Sequence, residues 1–254
     1  MTENILTVKN LRVRYGDKEI VHGVNFSVRR GEIFVIVGKS GGGKSTILKA
    51  VAGLLPNVAK VDGEIFFEDK NITHLSTNER RKLAGASIAM IFQNAGASFC
   101  PIRTIGEQIF EAVTAHRACT RQEFLERAKT LMSKINLDEN VLNEYPFKLS
   151  GGIAQRAGIL AAAILEPKLL LADEPTSALD IVNQAGVVKE LLKLRERQKI
   201  SIVMVTHDLR IAKFMADKIL IIKNGLTVEF GTREKIFNAP QEFYTKKLIE
   251  AAGL

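Results

Sequence analysis

Apolar and polar residues alternate at the start of the chain. The alternation runs through residues 6–8, 11–13 and 24–28, where apolar side chains occupy every second position. A period of two is typical of a strand that buries one face and exposes the other. We therefore predict an antiparallel β-sheet near the N-terminus.

A second kind of apolar segment is continuous rather than alternating. Residues 33–37, 89–92, 169–172 and 202–205 are uninterrupted apolar runs. Such runs are typical of strands that are buried on both faces, as in a parallel sheet. Helical patterns lie between them, and this order of strands and helices predicts an α/β fold with a parallel core sheet.

Residues 94–165 interrupt that order with helical patterns. Thr120 and Glu123 form a capping box, and five apolar residues after it share one helical face: Phe124, Ala128, Leu131, Met132 and Ile135. We predict a helical subdomain, at approximately residues 94–165, inserted between two strands of the sheet. No internal repeat or linker is apparent, so residues 1–254 are predicted to form a single domain.

The end of the chain carries a turn signal and a helical pattern. Asn224-Gly225 separates two apolar runs within residues 218–230, which predicts a β-hairpin. The last 20 residues have a helical pattern.

No apolar run approaches the roughly 18 to 20 residues that a membrane-spanning helix needs. The longest, residues 157–165, is nine residues long and predicts a core helix. The N-terminus has no basic start followed by an apolar stretch, so we expect no signal peptide. Cys100 and Cys119 form no CxxC pair, and we expect two free thiols with a packing role in a reducing compartment.

The net charge of +8 is compatible with nucleic acid, an anionic membrane surface or a phosphate-rich ligand. The basic residues are scattered along the chain and do not form one long tract. Charge alone therefore does not select a partner.

A glycine-rich motif directly follows the apolar run 33–37. It fits G-x-x-x-x-G-K-[ST] and consists of Gly38, Lys39, Ser40, Gly41, Gly42, Gly43, Lys44 and Ser45, with Thr46 next. Glycines let successive N–H groups point at phosphate oxygens, and a helix that begins near Lys44 adds its dipole. Lys44 can reach the β- and γ-phosphates of a nucleotide, and the Ser45 hydroxyl can bind Mg²⁺. The flanking strand and helix favour a phosphate site over a chance glycine-rich turn.

Two acidic residues follow the apolar run 169–172. Asp173 can hold Mg²⁺ through water, and Glu174 can polarise the attacking water as a general base. Many strands end in acids, so the pair gains weight only from the glycine-rich motif, whose Lys44 lies 129 residues earlier (173 minus 44).

Leu149-Ser150-Gly151-Gly152 resembles the LSGGQ signature of ATP-binding cassette (ABC) ATPases, and it lies between the glycine-rich motif and Asp173 as in that family. Ser150 is expected to cap a helix whose first amides, at Gly151 and Gly152, can bind a phosphate. The resemblance implies that this signature loop faces the γ-phosphate of ATP held by an opposite subunit.

Four further positions match the family in order along the chain. Tyr15 has the place of the aromatic residue that stacks on adenine, with an exposed strand tyrosine as the alternative. Gln93 matches the glutamine that senses Mg²⁺ and contacts the membrane subunit. Ser177-Ala178-Leu179-Asp180 matches the D-loop, which lies at the dimer interface. His207 matches the switch histidine that contacts the γ-phosphate.

The resemblance covers nearly the whole chain and implies a P-loop ATPase core with an N-terminal antiparallel β-subdomain and an inserted helical subdomain. ATP and Mg²⁺ are the implied cofactors. The implied partners are a second ABC ATPase subunit (usually a different, related chain), two membrane-spanning permease subunits and an extracytoplasmic substrate-binding protein, with no nucleic acid. The subunit would act peripherally at the cytoplasmic face of the membrane.

Several segments resemble the ATPases of the peptide and nickel importer group: residues 93–108, Tyr145-Pro146-Phe147 and Asn238-Ala239-Pro240. Ile153 departs from the family, because it replaces the glutamine of the signature. Oligopeptide ATPases of the group often continue into a cysteine-rich extension. This chain stops at Leu254 without those cysteines, which favours a nickel or metallophore importer over an oligopeptide importer.

Two other functions fit less of the chain. A nucleic-acid ABC ATPase fits the charge, but the translation factors carry two cassettes and the repair type carries a coiled coil with a cysteine hook. A small-molecule kinase would leave the signature loop and His207 unexplained.

An apolar, proline-containing stretch follows Gln93. Phe99, Pro101 and Ile102 are unusual in a solvated loop and are expected to dock a helix of the membrane subunit. The alternative is that Phe99 and Ile102 pack into the helical subdomain.

Overall fold

The computed structural model describes residues 3–177 and 179–254, which divide into two compact units. The first unit combines Met1–Arg81 with Ser201–Leu254, and the second is Lys82–Ile200. The predicted α/β class is confirmed, because the first unit contains both an antiparallel sheet and parallel strands, and helices occur in both units.

The antiparallel sheet of the first unit has the strand order β2-β1-β4-β5. Its strands are β1 (Asn4–Tyr15), β2 (Lys18–Arg29), β4 (Ala59–Phe67) and β5 (Lys70–Asn71). The pairing of β1 shifts between Val8 and Leu11, where Asn10 has a φ of 47°. This irregularity absorbs the odd spacing between the two alternating stretches, so that apolar residues on both sides of it are buried.

The second sheet region of the first unit has the order β10-β9-β3-β8. Its strands are β3 (Ile33–Val37), β8 (Ser201–Thr206), β9 (Lys218–Lys223) and β10 (Leu226–Thr232). β3 pairs in parallel with β8 and with β9, and all five of its residues are buried. β9 and β10 form the predicted hairpin around Asn224-Gly225. The helices here are α1 (Lys44–Ala52), α7 (Leu209–Met215), α8 (Arg233–Asn238) and α9 (Phe243–Ala251), and α2 (Thr77–Leu83) leads into the second unit.

The second unit contains a parallel strand pair and most of the long helices. The strands are β6 (Ile88–Ile91) and β7 (Leu169–Asp173). The chain between them forms α3 (Ile105–Thr114), α4 (Arg121–Lys134), α5 (Gly151–Ala163) and three short 3-10 helices, and α6 (Ile181–Gln198) follows β7. The predicted capping box is present, since Thr120 and Glu123 exchange hydrogen bonds at the start of α4. Among the residues that the structure describes, no helix combines the length and apolarity needed to cross a membrane.

Candidate functional site

The glycine-rich motif forms the loop between β3 and α1 in the first unit. Gly43 ends the loop with a φ of 90°, and a Cβ there would lie 2.9 Å from the carbonyl oxygen of Ile20. Only glycine tolerates both conditions. Lys44 begins α1 and is 4% exposed, and its Nζ donates to the carbonyl oxygen of Lys39 at 3.1 Å. Within the described chain no side chain caps α1 and its first turn holds no acidic residue, so the positive end of the helix dipole favours an anion.

The turn of the β9–β10 hairpin braces this loop. The Gly225 N–H donates to the carbonyl oxygen of Gly42 at 3.0 Å, and the Gly225 carbonyl accepts the N–H of His22 at 3.0 Å. The brace holds the backbone of the loop, whereas the side chains of Lys39 and Ser40 are exposed. The backbone N–H groups are thus held in shape while the outer side chains stay accessible.

His207 lies beside the glycine-rich loop because of strand register. β3 and β8 are parallel, with Val37 opposite Thr206, so Gly38 and His207 both follow the carboxyl ends of neighbouring strands. Thr206 Oγ1 accepts the N–H of Asp208 at 3.0 Å, which fixes the backbone around His207. The His207 side chain is exposed. Tyr15 is half-buried at the end of β1, where it pairs with Lys18 across the hairpin.

In the second unit, strand register brings Gln93 to Glu174. β6 and β7 are parallel, with Ile91 opposite Ala172. Gln93 and Glu174 each come two positions after that pair. Gln93 Nε2 donates to Glu174 Oε2 at 3.3 Å and to Ser177 Oγ at 3.4 Å. Asp173 ends β7 and is 4% exposed. Two neighbouring buried carboxylates beside the exposed amide of Gln93 can hold a cation and orient a water.

Glu174 has a left-handed backbone conformation, with a φ of 45°. Such a conformation is costly for a residue other than glycine and persists only where the surroundings hold it. Ser177 supplies part of that support, because its N–H and its Oγ both donate to the Glu174 carbonyl oxygen, at 3.2 and 3.1 Å. Strain of this kind concentrates at functional sites.

The signature loop lies at the start of α5. Ser150 occupies the N-cap position as expected, but its side chain makes no capping hydrogen bond with the described residues. Ser150 therefore has the position of a capping residue, but its hydroxyl does not accept a hydrogen bond from the first N–H groups of α5. Gly152 lies against α6, since a Cβ on it would be 3.0 Å from Asn183 Oδ1.

Asp180 caps α6. Its Oδ1 accepts the N–H groups of Val182 and Asn183, both at 3.0 Å, and its Oδ2 accepts the side-chain amide of Asn183 at 2.6 Å. The bonds from Asn183, backbone first, lower the pKa of Asp180. Ala178, also part of the D-loop motif, lies outside the described residues.

The candidate residues thus fall into two sets. The first unit holds Tyr15, residues 38–46 and His207, and the second holds Gln93, residues 150–152, Asp173, Glu174 and Asp180. Sequence reasoning missed the support that Ser177 gives Glu174 and the contact between Gly152 and Asn183. Pairing the apolar runs 89–92 and 169–172 as parallel neighbours is the signal that would have placed Gln93 near Glu174 and Ser177.

Comparisons with known proteins agree with this geometry. A family model described as ABC transporter matches residues 21–177. The metal-staphylopine import system ATP-binding protein CntD of Staphylococcus aureus is 36% identical over 96% of this chain and 92% of its own length. The dipeptide transport ATP-binding protein DppD of Bacillus subtilis is 38% identical over 97% of this chain and 76% of its own length.

Two solved structures share the fold. The cbiO1 protein of Clostridium perfringens, described as part of the ABC transporter complex cbiONQ, has a TM-score of 0.81 and 27% identity over 94% of this chain and 92% of its own. The dimeric ATP-binding cassette MJ0796, in a post-hydrolysis state with ADP and Pi, has a TM-score of 0.80 and 29% identity over 90% of this chain and 98% of its own.

The strand, glycine-rich loop and helix of the first unit define a P-loop nucleotide-binding protein. More specifically, the chain belongs to the ABC transporter family. It is an ATP-binding subunit of an ABC importer, and its reaction is the hydrolysis of ATP.

Proposed function

We propose that this chain provides half of each of two composite ATP sites, which it shares with a second ABC ATPase subunit. The start of α5, where Ser150 makes no side-chain cap with the described residues, carries the shared-site part of the proposal. The link between hydrolysis and transport is carried by the hydrogen bond from Gln93 to Glu174, at 3.3 Å. It couples the proposed general base to a glutamine whose following segment leads to Ile102, which is 81% exposed. Hydrolysis and an external contact surface are then linked through one side chain.

On the nucleotide side, residues 38–46 bind the phosphates through backbone N–H groups, Lys44 and the hydroxyls of Ser45 and Thr46. Tyr15 stacks on the adenine, and His207 contacts the γ-phosphate. Glu174 polarises the attacking water. The loop brace and the start of α1 support the phosphate role, because the brace fixes the loop backbone and the positive end of the helix dipole favours an anion.

We propose Mg²⁺ as the cation, with ligands from Ser45, Gln93 and Asp173. The donor atoms are a hydroxyl, an amide oxygen and a carboxylate, and hard oxygen ligands are those that Mg²⁺ prefers. In the described ranges no three or more His, Cys, Asp or Glu side chains form a metal cluster. That fits an ion that takes most of its ligands from nucleotide phosphates and water. When bound, Mg²⁺ neutralises the charge that develops on the phosphates.

A second group of residues is proposed to act on the ATP that the second ATPase subunit holds. These residues are Ser150, Gly151, Gly152 and Asp180. A phosphate at the start of α5 would meet N–H groups that Ser150 does not cap. The second subunit is proposed to be a related but different chain. Residues 1–254 would then be one ABC ATPase domain with its helical subdomain at about residues 94–165.

The remaining partners are proposed to be two permease subunits and an extracytoplasmic substrate-binding protein, with the chain at the cytoplasmic face of the membrane and no nucleic acid. The similarity to cbiO1, described as part of a transporter complex, supports this assembly. The cargo is proposed to be nickel or another metal held by a metallophore, with di- or oligopeptide as the alternative, since CntD and DppD represent both classes at 36% and 38% identity.

The composite site is tested by measuring ATP turnover per subunit, first for the isolated chain and then for the reconstituted complex. We expect about tenfold or more stimulation in the complex, because each site lacks its trans phosphate donors otherwise. Equal rates at all protein concentrations contradict the proposal. Uptake of radiolabelled nickel–metallophore complex, in competition with unlabelled dipeptide, identifies the cargo class.

A further inference from the structure

Arg156 of α5 and Glu190 of α6 form a buried ion pair. Arg156 Nε donates to Glu190 Oε1 at 2.8 Å, and the two side chains are 17% and 1% exposed. Glu190 Oε2 is also buried and has no hydrogen-bond partner among the described residues. Burial raises the pKa of Glu190, and the bond from Arg156 opposes that rise. A pair with so little solvent costs free energy to bury, so apolar residues would serve packing alone equally well.

Two glycines let α5 and α6 approach at this pair and near the helix starts. A Cβ on Gly186 would lie 2.7 Å from Arg156 Nη2, so the guanidinium lies close against α6 at a residue that has no side chain. A Cβ on Gly152 would lie 3.0 Å from Asn183 Oδ1. Sliding one helix along the other would therefore separate the ion pair and bring the guanidinium against a different side chain. The contacts specify one register of the two helices.

Both helices begin at proposed functional loops. α5 starts directly after Ser150, and α6 starts directly after Asp180. A fixed register of α5 against α6 sets the distance between these two loops.

We propose that Arg156 and Glu190 are positioning residues that hold the signature loop in register with the start of α6, so that its N–H groups meet the ATP of the second ATPase subunit. The inference rests on the proposed composite site, because Ser150 to Gly152 act on the other subunit's nucleotide. The pair touches no nucleotide itself and acts through the helix starts.

The first test is Gly186→Ala, which crowds the guanidinium where it lies against α6. The new Cβ pushes Arg156 Nη2, at the flexible end of its side chain, away from residue 186 and weakens the pair. Alanine favours a helix more than glycine does, whereas a weakened partner for the buried Glu190 carboxylate costs stability, so the two effects on the unfolding temperature oppose each other. We expect ATP binding by the isolated chain to stay within about twofold of wild type, while kcat of the reconstituted complex falls about tenfold or more and KM changes little.

The second test replaces the ion pair by an apolar pair, Arg156→Met with Glu190→Leu. Such replacements often preserve stability, but they do not fix the register. Unfolding temperature near wild type with a similar loss of kcat supports the proposal. Lys189→Ala, which changes the exposed neighbour of Glu190 on α6, is the matched control and should leave kcat unchanged.

The outcomes separate the two proposals. Wild-type kcat in Gly186→Ala and in the folded apolar pair overturns the positioning role. A kcat that only follows the unfolding temperature across all variants overturns it as well. The composite site is tested by itself when turnover of the wild-type chain is compared alone and in the complex: equal rates contradict the proposed function and not the register.

Discussion

Gln93 and Glu174 share a hydrogen bond with 3.3 Å between Nε2 and Oε2, although 81 residues separate them in the chain. The bond orients the carboxylate, and the left-handed backbone of Glu174 is a second constraint on the same residue. Two constraints on one side chain are typical of a residue whose orientation matters for chemistry. The clearest predictions therefore concern this carboxylate.

Glu174→Gln should retain ATP binding but lower turnover by about 10²-fold or more, because an amide keeps the size of the side chain and cannot accept a proton. Steady-state ATPase activity of the complete transporter decides this. Glu166→Gln is a matched control, since Glu166 also has a left-handed backbone (φ 54°) and pairs with Arg127 instead. Turnover of Glu174→Gln within about threefold of wild type would refute the general-base role.

Gly225→Ala should destabilise the protein by about 2 kcal/mol or more and weaken ATP binding. Gly225 has a φ of 75°, and a Cβ would lie 2.0 Å from the carbonyl oxygen of Ile20, so the turn that holds Gly42 must move. Gly31→Ala is the matched control: its φ is 70°, and none of the described atoms lies within 4 Å of its Cβ position. Thermal unfolding and nucleotide titration measure both effects. Equal ATP affinities in the two variants would show that the brace does not support the loop.

Ile102→Asp should leave ATP binding by the isolated chain unchanged and weaken assembly and uptake, because Ile102 is 81% exposed. Gln108 holds the loop that presents it: its Oε1 accepts the Cys100 N–H at 2.7 Å, and its Nε2 donates to the carbonyl oxygen of Arg103 at 3.0 Å. A fixed apolar loop suits docking of a membrane-subunit helix. Pull-down with the permease subunits and uptake in cells are the measurements.

Phe99 is half-buried, so Phe99→Asp tests docking and packing together. We expect the Phe99→Asp variant to fold and to bind ATP while its assembly with the permease subunits weakens. Loss of folding would instead support the alternative that Phe99 packs into the helical subdomain. Phe214→Asp, at an aromatic residue of α7 that is 61% exposed, controls for the loss of an exposed apolar group. Normal assembly and uptake in folded Ile102→Asp would exclude this loop as the docking surface.

Glu229→Gln should lower the unfolding temperature at pH 7, with a difference that shrinks in acid. Burial, the largest influence, raises the pKa of Glu229, but the N–H groups of Gln241 and Glu242, at 2.9 and 3.2 Å, hold it below the ordinary 4.5. A lowered pKa contributes stability above about pH 4.5 that is lost as the pH falls through the folded value. The expected difference at pH 7 is about 1 to 2 kcal/mol.

Thermal unfolding at pH 7 and below pH 4.5 measures this difference. Glu250→Gln, at an exposed acid of α9, is the control. A difference between Glu229→Gln and wild type that grows in acid would contradict the hydrogen-bonded role of the carboxylate.

The local elements could be predicted from the sequence because their signals are local. The predicted run 33–37 has the same bounds as β3, and the capping box of Thr120 and Glu123 lies at the start of α4 as predicted. The predicted run 89–92 differs by one residue from β6, which is Ile88–Ile91, and Phe92 is 37% exposed beyond the end of the strand. An apolar residue at a strand end does not show whether it faces the core or a partner.

The contacts between elements could not be predicted in the same way. Arg156 and Glu190 lie 34 residues apart on two helices, where single charged residues usually indicate solvated faces. The guanidinium lies close to Gly186, but a glycine within a helical pattern indicates only a lower helix propensity. Ser150 has the sequence of a capping residue, but the cap bond is not formed because the side-chain geometry at that position is not set by residue type alone.

The hydrogen bond between Gly225 and Gly42 also determines how early in protein synthesis the glycine-rich loop can take its final form. The ribosome completes the glycine-rich loop early, but Gly225 follows 183 residues later (225 minus 42). At about 5 to 20 residues per second, the gap is roughly 10 to 40 s. β3 likewise cannot form its strand pairs until β8 and β9, its neighbours on both sides, have been synthesised beyond residue 200. A nascent chain therefore gains its complete nucleotide site only after Gly225 has been synthesised, and ATP cannot stabilise the growing protein through that site before then.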